Sequence, residues 1–323
     1  MVKISRIIFV PQYPTPMRYQ EWWINEIPKQ FTKFGFDVYT LGDEKIKVKR
    51  GNTEMFSPIN NAIEFECSQI DEYMNMKLQD DDILFVADIS FPGIFMNTLF
   101  HKRPSKVFSF CHATSINKFD YFEPVKNCKY PVETSHAALC DKVFIGSKYH
   151  DNKLRWHNTV ITYLPFPPLE TFPNEEKTID IISASRPTPQ KVDLDLEREV
   201  EKKFGKIKRM ECESWEQYYK FLGQSKILLI TSHEDTFGYQ IVDAIINGCI
   251  PIARNSLSYP EILPSEYLYD SKWELIHMIE KILGEKYLYD TVLNNYYYQV
   301  PKILCEKQMN NFYKRIVNEM KGE

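Results

Sequence analysis

The chain has 323 residues, 43% of them hydrophobic, and a formal net charge of −4. That length suits two α/β domains better than one. The near-balanced charge excludes a surface that is basic throughout, though not a local basic patch.

Glycine is scarce, at 11 residues, which argues against flexible linkers and against a glycine-rich phosphate loop. Cysteines at 67, 111, 128, 140, 212, 249 and 305 form no C-x-x-C pair, and several sit in apolar runs. They read as reduced, buried thiols, not as zinc ligands or disulfides. No run approaches 18 apolar residues and no signal-peptide pattern opens the chain, so a cytoplasmic protein without a membrane span is expected.

Arg6 to Val10 is a short apolar run of the kind that forms a buried parallel strand. The loop Pro11 to Tyr19 follows, with three prolines and Arg18. Glu21 to Phe34 is predicted helical on the stripe Trp22, Ile27, Phe31 and Phe34, with Gly35 as its stop and Pro28 marking a kink or a late start. Asp37 to Leu41 is the second strand, and strand, loop, helix, strand makes a Rossmann-like half. Lys45 to Arg50 alternates basic and β-branched residues and predicts an exposed strand with a positive face, either solvated or set against a phosphate backbone. Apolar runs at 82–86, 106–110 and 142–145 predict three more strands. Polar residues follow each run, which places Asp88, His112, Thr114 and Ser147 at the carboxyl edge of the sheet, lining a cleft.

Val160 to Leu164 is the last strand of the first half, and the proline-stiffened stretch after it puts a domain boundary near 165–177. Thr178 to Ala184 opens the second half as a strand, followed by a loop containing Arg186 and Lys191. Trp215 to Leu222 is predicted helical. Ile227 to Ile230 is a buried strand, and its loop carries His233, Glu234, Asp235, Phe237 and Gly238. A helix from Tyr239 to Asn247 has Ile241, Val242, Ile245 and Ile246 on one face and Gly248 as its stop. Cys249 to Ala253 is the next strand, begun at its edge by Pro251. A loop at the carboxyl end of a strand and the N-terminus of a helix is where open α/β sheets bind ligands and where backbone N–H groups attract phosphate. Helices at 273–283, 287–298 and 303–320 complete the chain, the last with Phe312, Ile316 and Met320 on one face.

The order Asp235-Thr236-Phe237-Gly238, Asp243-Ala244, Gly248-Cys249-Ile250-Pro251 and Pro260-Glu261-Ile262-Leu263 resembles the donor-binding segment of the large retaining group of GT-B glycosyltransferases. That group has Glu where this chain has Asp235 and Asp243, so each carboxylate here is one methylene shorter, and Glu234 is an alternative to Asp235. The group also carries Arg and Lys five residues apart after the first strand of the second domain, as Arg186 and Lys191 are here. The Asn-Gly turn of the group's hinge and the glycines of its first loop are absent.

The resemblance implies two Rossmann-like domains facing across a cleft, with a C-terminal helix crossing back to the first. Residues 1–165 would form the acceptor-side domain, 166–300 the nucleotide-sugar domain and 301–323 the returning helix. It implies transfer of a sugar from a nucleotide donor, UDP-sugar favoured, to a hydroxyl, with no permanently bound cofactor and no metal. Arg186, Lys191 and the Phe237-Gly238-Tyr239 turn would hold the diphosphate, Asp243 the ribose and Asp235 the transferred sugar. On the acceptor side, Asp88 would be a base or hydroxyl anchor, and His112 a sugar contact or proton shuttle. The acceptor stays open between a hydroxymethylated pyrimidine in DNA, as in phage DNA-modifying enzymes acting in the host cytoplasm, and a glycan or small molecule. Two other classes stay open: a non-catalytic nucleotide-sugar-binding protein and a sugar-nucleotide epimerase.

Overall fold

A computed structural model describes residues 5–42, 45, 62–120, 122–184, 188, 191–209, 212–284, 309 and 311–323. The chain divides into two compact units. Met1–Gly146, Asp151–Pro168 and Asn311–Glu323 form the first, and Ser147–His150 and Leu169–Asn310 the second. Among the described residues no helix is long and apolar enough to cross a membrane.

The first unit is built on six strands: β1 (Arg6–Val10), β2 (Asp37–Thr40), β3 (Ile83–Val86), β4 (Lys106–Cys111), β5 (Lys142–Ile145) and β6 (Thr159–Ile161). All pair in parallel, in the order β2-β1-β3-β4-β5-β6. The central strands are continuous apolar runs because both faces of a parallel sheet are covered; Ile7, Ile8, Phe9, Leu84, Phe85 and Val86 are wholly buried. The strand order reverses at β1, which lies between β2 and β3. The carboxyl ends of β1 and β3 therefore flank the switch point, where open α/β sheets bind ligands.

Helices α1 (Gln20–Lys33), α2 (Ala62–Asn75), α3 (Gly93–Leu99) and α4 (Lys126–Leu139) belong to this unit, and α5 (Lys148–Leu154) follows β5. Of the kink or late start expected from Pro28, the late start does not occur. The helix begins at Gln20 and runs through Pro28, because Trp22, Trp23, Ile27 and Phe31 bury one face and outweigh the missing proline N–H. The positive strand expected at 45–50 falls outside the described residues apart from Lys45, as do the helix expected at 287–298 and most of 303–310.

The last helix, α10 (Phe312–Lys321), is part of the first unit. Phe312 is wholly buried, 5.9 Å from the Trp23 ring and 6.0 Å from that of Phe110, while Tyr313 stands edge-on to Phe31. Lys106 Nζ donates to the Met320 carbonyl (2.7 Å), where the helix presents its unpaired carbonyls and negative dipole end. Arg315 donates to the Ile161 carbonyl at the end of β6 (3.1 Å).

The second unit has β7 (Ile179–Ile182), β8 (Ser225–Ile230), β9 (Ile250–Arg254) and β10 (Leu268–Tyr269), parallel in the order β10-β9-β8-β7. Ile182 also bridges in parallel to Lys208, so β7 lies between the segment ending at Lys208 and β8. The strand order of this unit reverses there. Pro251 is the second residue of β9, opposite Leu228. It is tolerated because β10 pairs only with Ala253 and Arg254, further along the strand.

Helices α6 (Leu194–Phe204), α7 (Trp215–Gly223), α8 (Tyr239–Ile246) and α9 (Lys272–Leu283) belong to this unit, α7 packing against β8, α8 against β9 and α9 against β10. Asp193 and Ser214 cap α6 and α7, and Ser271 with Glu274 forms a capping box on α9.

Candidate functional site

In the first unit the expected residues gather at the switch point. Asp88 follows β3 and is buried. Its Oδ1 accepts from the Ser90 N–H (2.8 Å) and hydroxyl (2.6 Å), and its Oδ2 from Gln12 Nε2 (2.5 Å), which follows β1. The Gln12 to Asp88 bond thus spans the place where the strand order reverses. Burial pushes the Asp88 carboxyl up to about 6 against the hydrogen bonds from Ser90, which favour the charged form. Tyr19 donates to Gln12 Oε1 at 3.4 Å.

His112 follows β4. Its Nε2 lies 3.1 Å from the Ala87 carbonyl, one residue before Asp88, an arrangement that calls for the proton on Nε2. Its ring is packed among Tyr19, Trp23 and Phe110, with centroids 4.5 to 4.6 Å away. Glu66 of α2 joins this group electrostatically, and burial followed by the Asp88 charge pushes its carboxyl up to about 7. Thr114 does not line a cleft as expected. It is buried, and its N–H and hydroxyl both donate to Asn117 Oδ1 within its own loop (2.9 and 3.2 Å).

In the second unit the loop after β8 carries the other group. Lys191 Nζ lies 3.0 Å from Asp235 Oδ2 and 3.3 Å from the Glu234 carbonyl. Two residues singled out 44 positions apart therefore meet as an ion pair. Tyr259 donates to the same Asp235 oxygen at 3.4 Å. Glu234 is buried and accepts from the Tyr149 hydroxyl (3.0 Å). Ser147, expected on a first-half cleft, belongs to this unit and donates to the Thr236 carbonyl (2.6 Å).

Gly238 is the N-cap of α8 with φ +96° and ψ 53°. An added Cβ would stand 2.9 Å from Cε1 of the buried Tyr259 ring, so sterics and conformation both require glycine. Phe237 is buried behind this turn, edge-on to Tyr239 at 5.6 Å, and the Ser258 hydroxyl holds its carbonyl. The turn directs the positive end of α8 outward from the sheet edge.

Asp243 is buried in α8 and accepts from the Tyr219 hydroxyl of α7 (2.8 Å). Burial pushes its carboxyl up to about 7 against the hydrogen bonds from Tyr219 and Tyr218. Arg186 lies outside the described residues.

Sequence reasoning passed over Arg209, just beyond Lys208 at the edge of β7. It donates to Ser183 Oγ (2.8 Å) and pairs with the buried Glu197, which puts a second cation at the switch point of this unit. Gln12 was passed over too, although it carries the signal that marked Asp88: a polar residue just beyond a strand's carboxyl end.

No protein-family model matches the chain. Sucrose-phosphate synthase from Thermosynechococcus elongatus superimposes with a TM-score of 0.69 over 98% of both chains, at 11% identity. S. aureus TarM, crystallised with UDP among its ligands, gives 0.60 over 78% of this chain and 58% of its own, at 16% identity. The protein has the GT-B fold. In sequence, the tRNA-queuosine alpha-mannosyltransferase of Drosophila melanogaster is 40% identical over 68 residues, which are 21% of this chain and 16% of that protein. The GT-B fold accounts for the two Rossmann-like units and for a last helix that packs in the first of them.

Proposed function

We propose that the protein transfers a sugar from a nucleoside-diphosphate sugar, UDP-sugar favoured, to a hydroxyl on a nucleoside within a nucleic acid. The Lys191–Asp235 pair ahead of the Gly238 turn carries the donor half of this reading. Lys191 would exchange part of its bond to Asp235 for the diphosphate, and the N-terminus of α8 would add its dipole. Charge building on the departing diphosphate is then met by a cation already in place. Asp235 would accept from sugar hydroxyls and Asp243 from the ribose, with Arg186 expected beside Lys191.

On the acceptor side Asp88 is the proposed base. A carboxyl held at about 6 is a stronger base than an ordinary aspartate and is still ionised at neutral pH. The acceptor class is supported by the tRNA-queuosine alpha-mannosyltransferase, named for a modified nucleoside in tRNA; a hydroxymethylated pyrimidine in DNA is a further member of the same class. UDP is supported by TarM and by the pneumococcal O-GlcNAc transferase GtfA, crystallised with UDP and GlcNAc.

The test is a thermal-shift screen with UDP, GDP, ADP, CDP and TDP on the wild type and Lys191→Ala. A shift with one diphosphate, UDP foremost, that is lost in the variant supports the reading. No shift with any of them overturns it.

A further inference from the structure

The loop between β4 and α4 holds two exposed phenylalanines, Phe119 and Phe122, each about 40% accessible. Each is accompanied by an ammonium: Lys118 Nζ lies 4.9 Å from the Phe119 ring centre and Lys129 Nζ 5.0 Å from that of Phe122. Lys126 stands between them in sequence, 3.6 Å from Glu123.

The loop that presents these rings is tightly braced. Asp120 accepts from the Phe122 N–H (2.9 Å), and Glu123 accepts from the Phe119 N–H. The Ser115 N–H and hydroxyl bind Glu133 (3.1 and 2.8 Å), and the Asp120 N–H reaches the Asn117 carbonyl (3.0 Å). Phe119 itself has φ +60°, a backbone conformation rare for a bulky side chain. Asp120 and Glu123 thus hold the backbone of the loop, Lys118 and Lys129 stand beside the exposed rings, and Lys126 and Lys129 at the start of α4 also neighbour Glu123 and the buried Glu133 (3.6 and 3.9 Å).

The loop leaves the same carboxyl edge of the sheet as Asp88, because all six strands are parallel and β4 is next to β3. His112, at the start of the loop, touches the Ala87 carbonyl. Exposed aromatic rings with cations beside them, on a rigid loop, match single-stranded nucleic acid, in which unpaired bases stack on rings and phosphates meet lysines.

We infer that Phe119 and Phe122, with Lys118, Lys126 and Lys129, form the platform on which the nucleotides flanking the acceptor nucleoside lie. The inference rests on the nucleic-acid reading above and adds to it the surface and the strand state: unpaired bases stack, so a single strand or an opened loop binds and a closed duplex binds less well.

The test measures fluorescence anisotropy of fluorescein-labelled single-stranded DNA and RNA 20-mers, with a DNA duplex of the same sequence alongside. The proteins are the wild type, Phe119→Ala/Phe122→Ala and Lys118→Gln/Lys126→Gln, and UDP thermal shift serves as a check of the second unit in each. The wild type should bind single strands more tightly than the duplex. The phenylalanine variant should bind at least about 30-fold more weakly, as expected for losing two stacked bases. The lysine variant should flatten the dependence of log K on log salt by about 1.4, or roughly 0.7 for each cation removed.

Three results would overturn the inference. Binding by the wild type with no loss in either variant would put the strand elsewhere on the protein and leave the nucleic-acid reading standing. No oligonucleotide binding by the wild type would remove that reading as well. Association of the wild type, through these residues, with phosphatidylcholine–phosphatidylglycerol vesicles in place of oligonucleotides would make the patch a lipid contact.

Discussion

Gln12 Nε2 donates to Asp88 Oδ2 at 2.5 Å, joining the loops after β1 and β3 where the first sheet reverses its strand order. The bond joins residues 76 positions apart and holds a carboxyl that burial has pushed up to about 6.

Ionising Asp88 in the folded protein costs stability. Its folded pKa lies above the ordinary 3.8, so the folded chain holds this proton more tightly than the unfolded chain does. The resulting stabilisation is complete below about pH 4 and is lost as pH rises through about 6. The difference of roughly two pKa units corresponds to about 3 kcal/mol. Asp88→Asn should therefore be more stable than the wild type in urea at pH 8, by about 1–3 kcal/mol, with a smaller difference at pH 5. The same variant should lose sugar transfer while still giving a UDP thermal shift. A wild type that is the more stable of the two at pH 8 would mean that the carboxylate is better solvated than its burial implies.

Asp243 is set for a pH effect on nucleotide binding. If its carboxylate accepts from the ribose, UDP affinity measured by calorimetry should fall as pH drops through about 7. Tyr219→Phe removes a donor that favours the charged form, so the midpoint should move to higher pH. A profile flat from pH 6 to 8 in both proteins would leave Asp243 as an internal partner of the two tyrosines.

Gly238→Ala tests the turn. The new Cβ would meet the Tyr259 ring at 2.9 Å while the backbone sits at φ +96°, a combination worth about 1–3 kcal/mol of lost stability. Tyr259 is buried and its hydroxyl faces Asp235, so moving the ring would also disturb the Lys191–Asp235 pair. A lower urea midpoint together with a weakened UDP shift is expected.

The strands and the edge they define were legible in the sequence because parallel strands must be continuously apolar. Ile227 to Ile230 and Ile83 to Val86 could hardly be anything else, and polar residues just beyond such runs reach the carboxyl edge. Asp88, His112 and Asp235 were marked out in this way, and Lys191 by its spacing from Arg186, which matches the resembled group. Their partners were not, because partnership depends on strand order: Tyr219 lies 24 residues from Asp243, and nothing local links them. Helix α6 was missed because LDLEREVEKKF is mostly charged and buries only Glu197 and Val200. Helix α4 was hidden by Pro131 in its interior.

Phe312→Ala should cost about 3–5 kcal/mol, since the ring is wholly buried between Trp23 and Phe110. Urea unfolding followed by tryptophan fluorescence would measure it, with Trp23 as a reporter. A loss below about 1 kcal/mol would show that the pocket closes over the missing ring.

The placement of α10 also orders events on the ribosome. The first 168 residues emerge before the helix that seals Trp23, Phe31 and Phe110 has been made. At about 5–20 residues per second, the second unit takes on the order of ten seconds to synthesise. For that interval the nascent first unit presents an aromatic groove to its surroundings, an opening for holdase chaperones or for misassociation between neighbouring chains on a polysome. The second unit must be made before this half of the molecule can close.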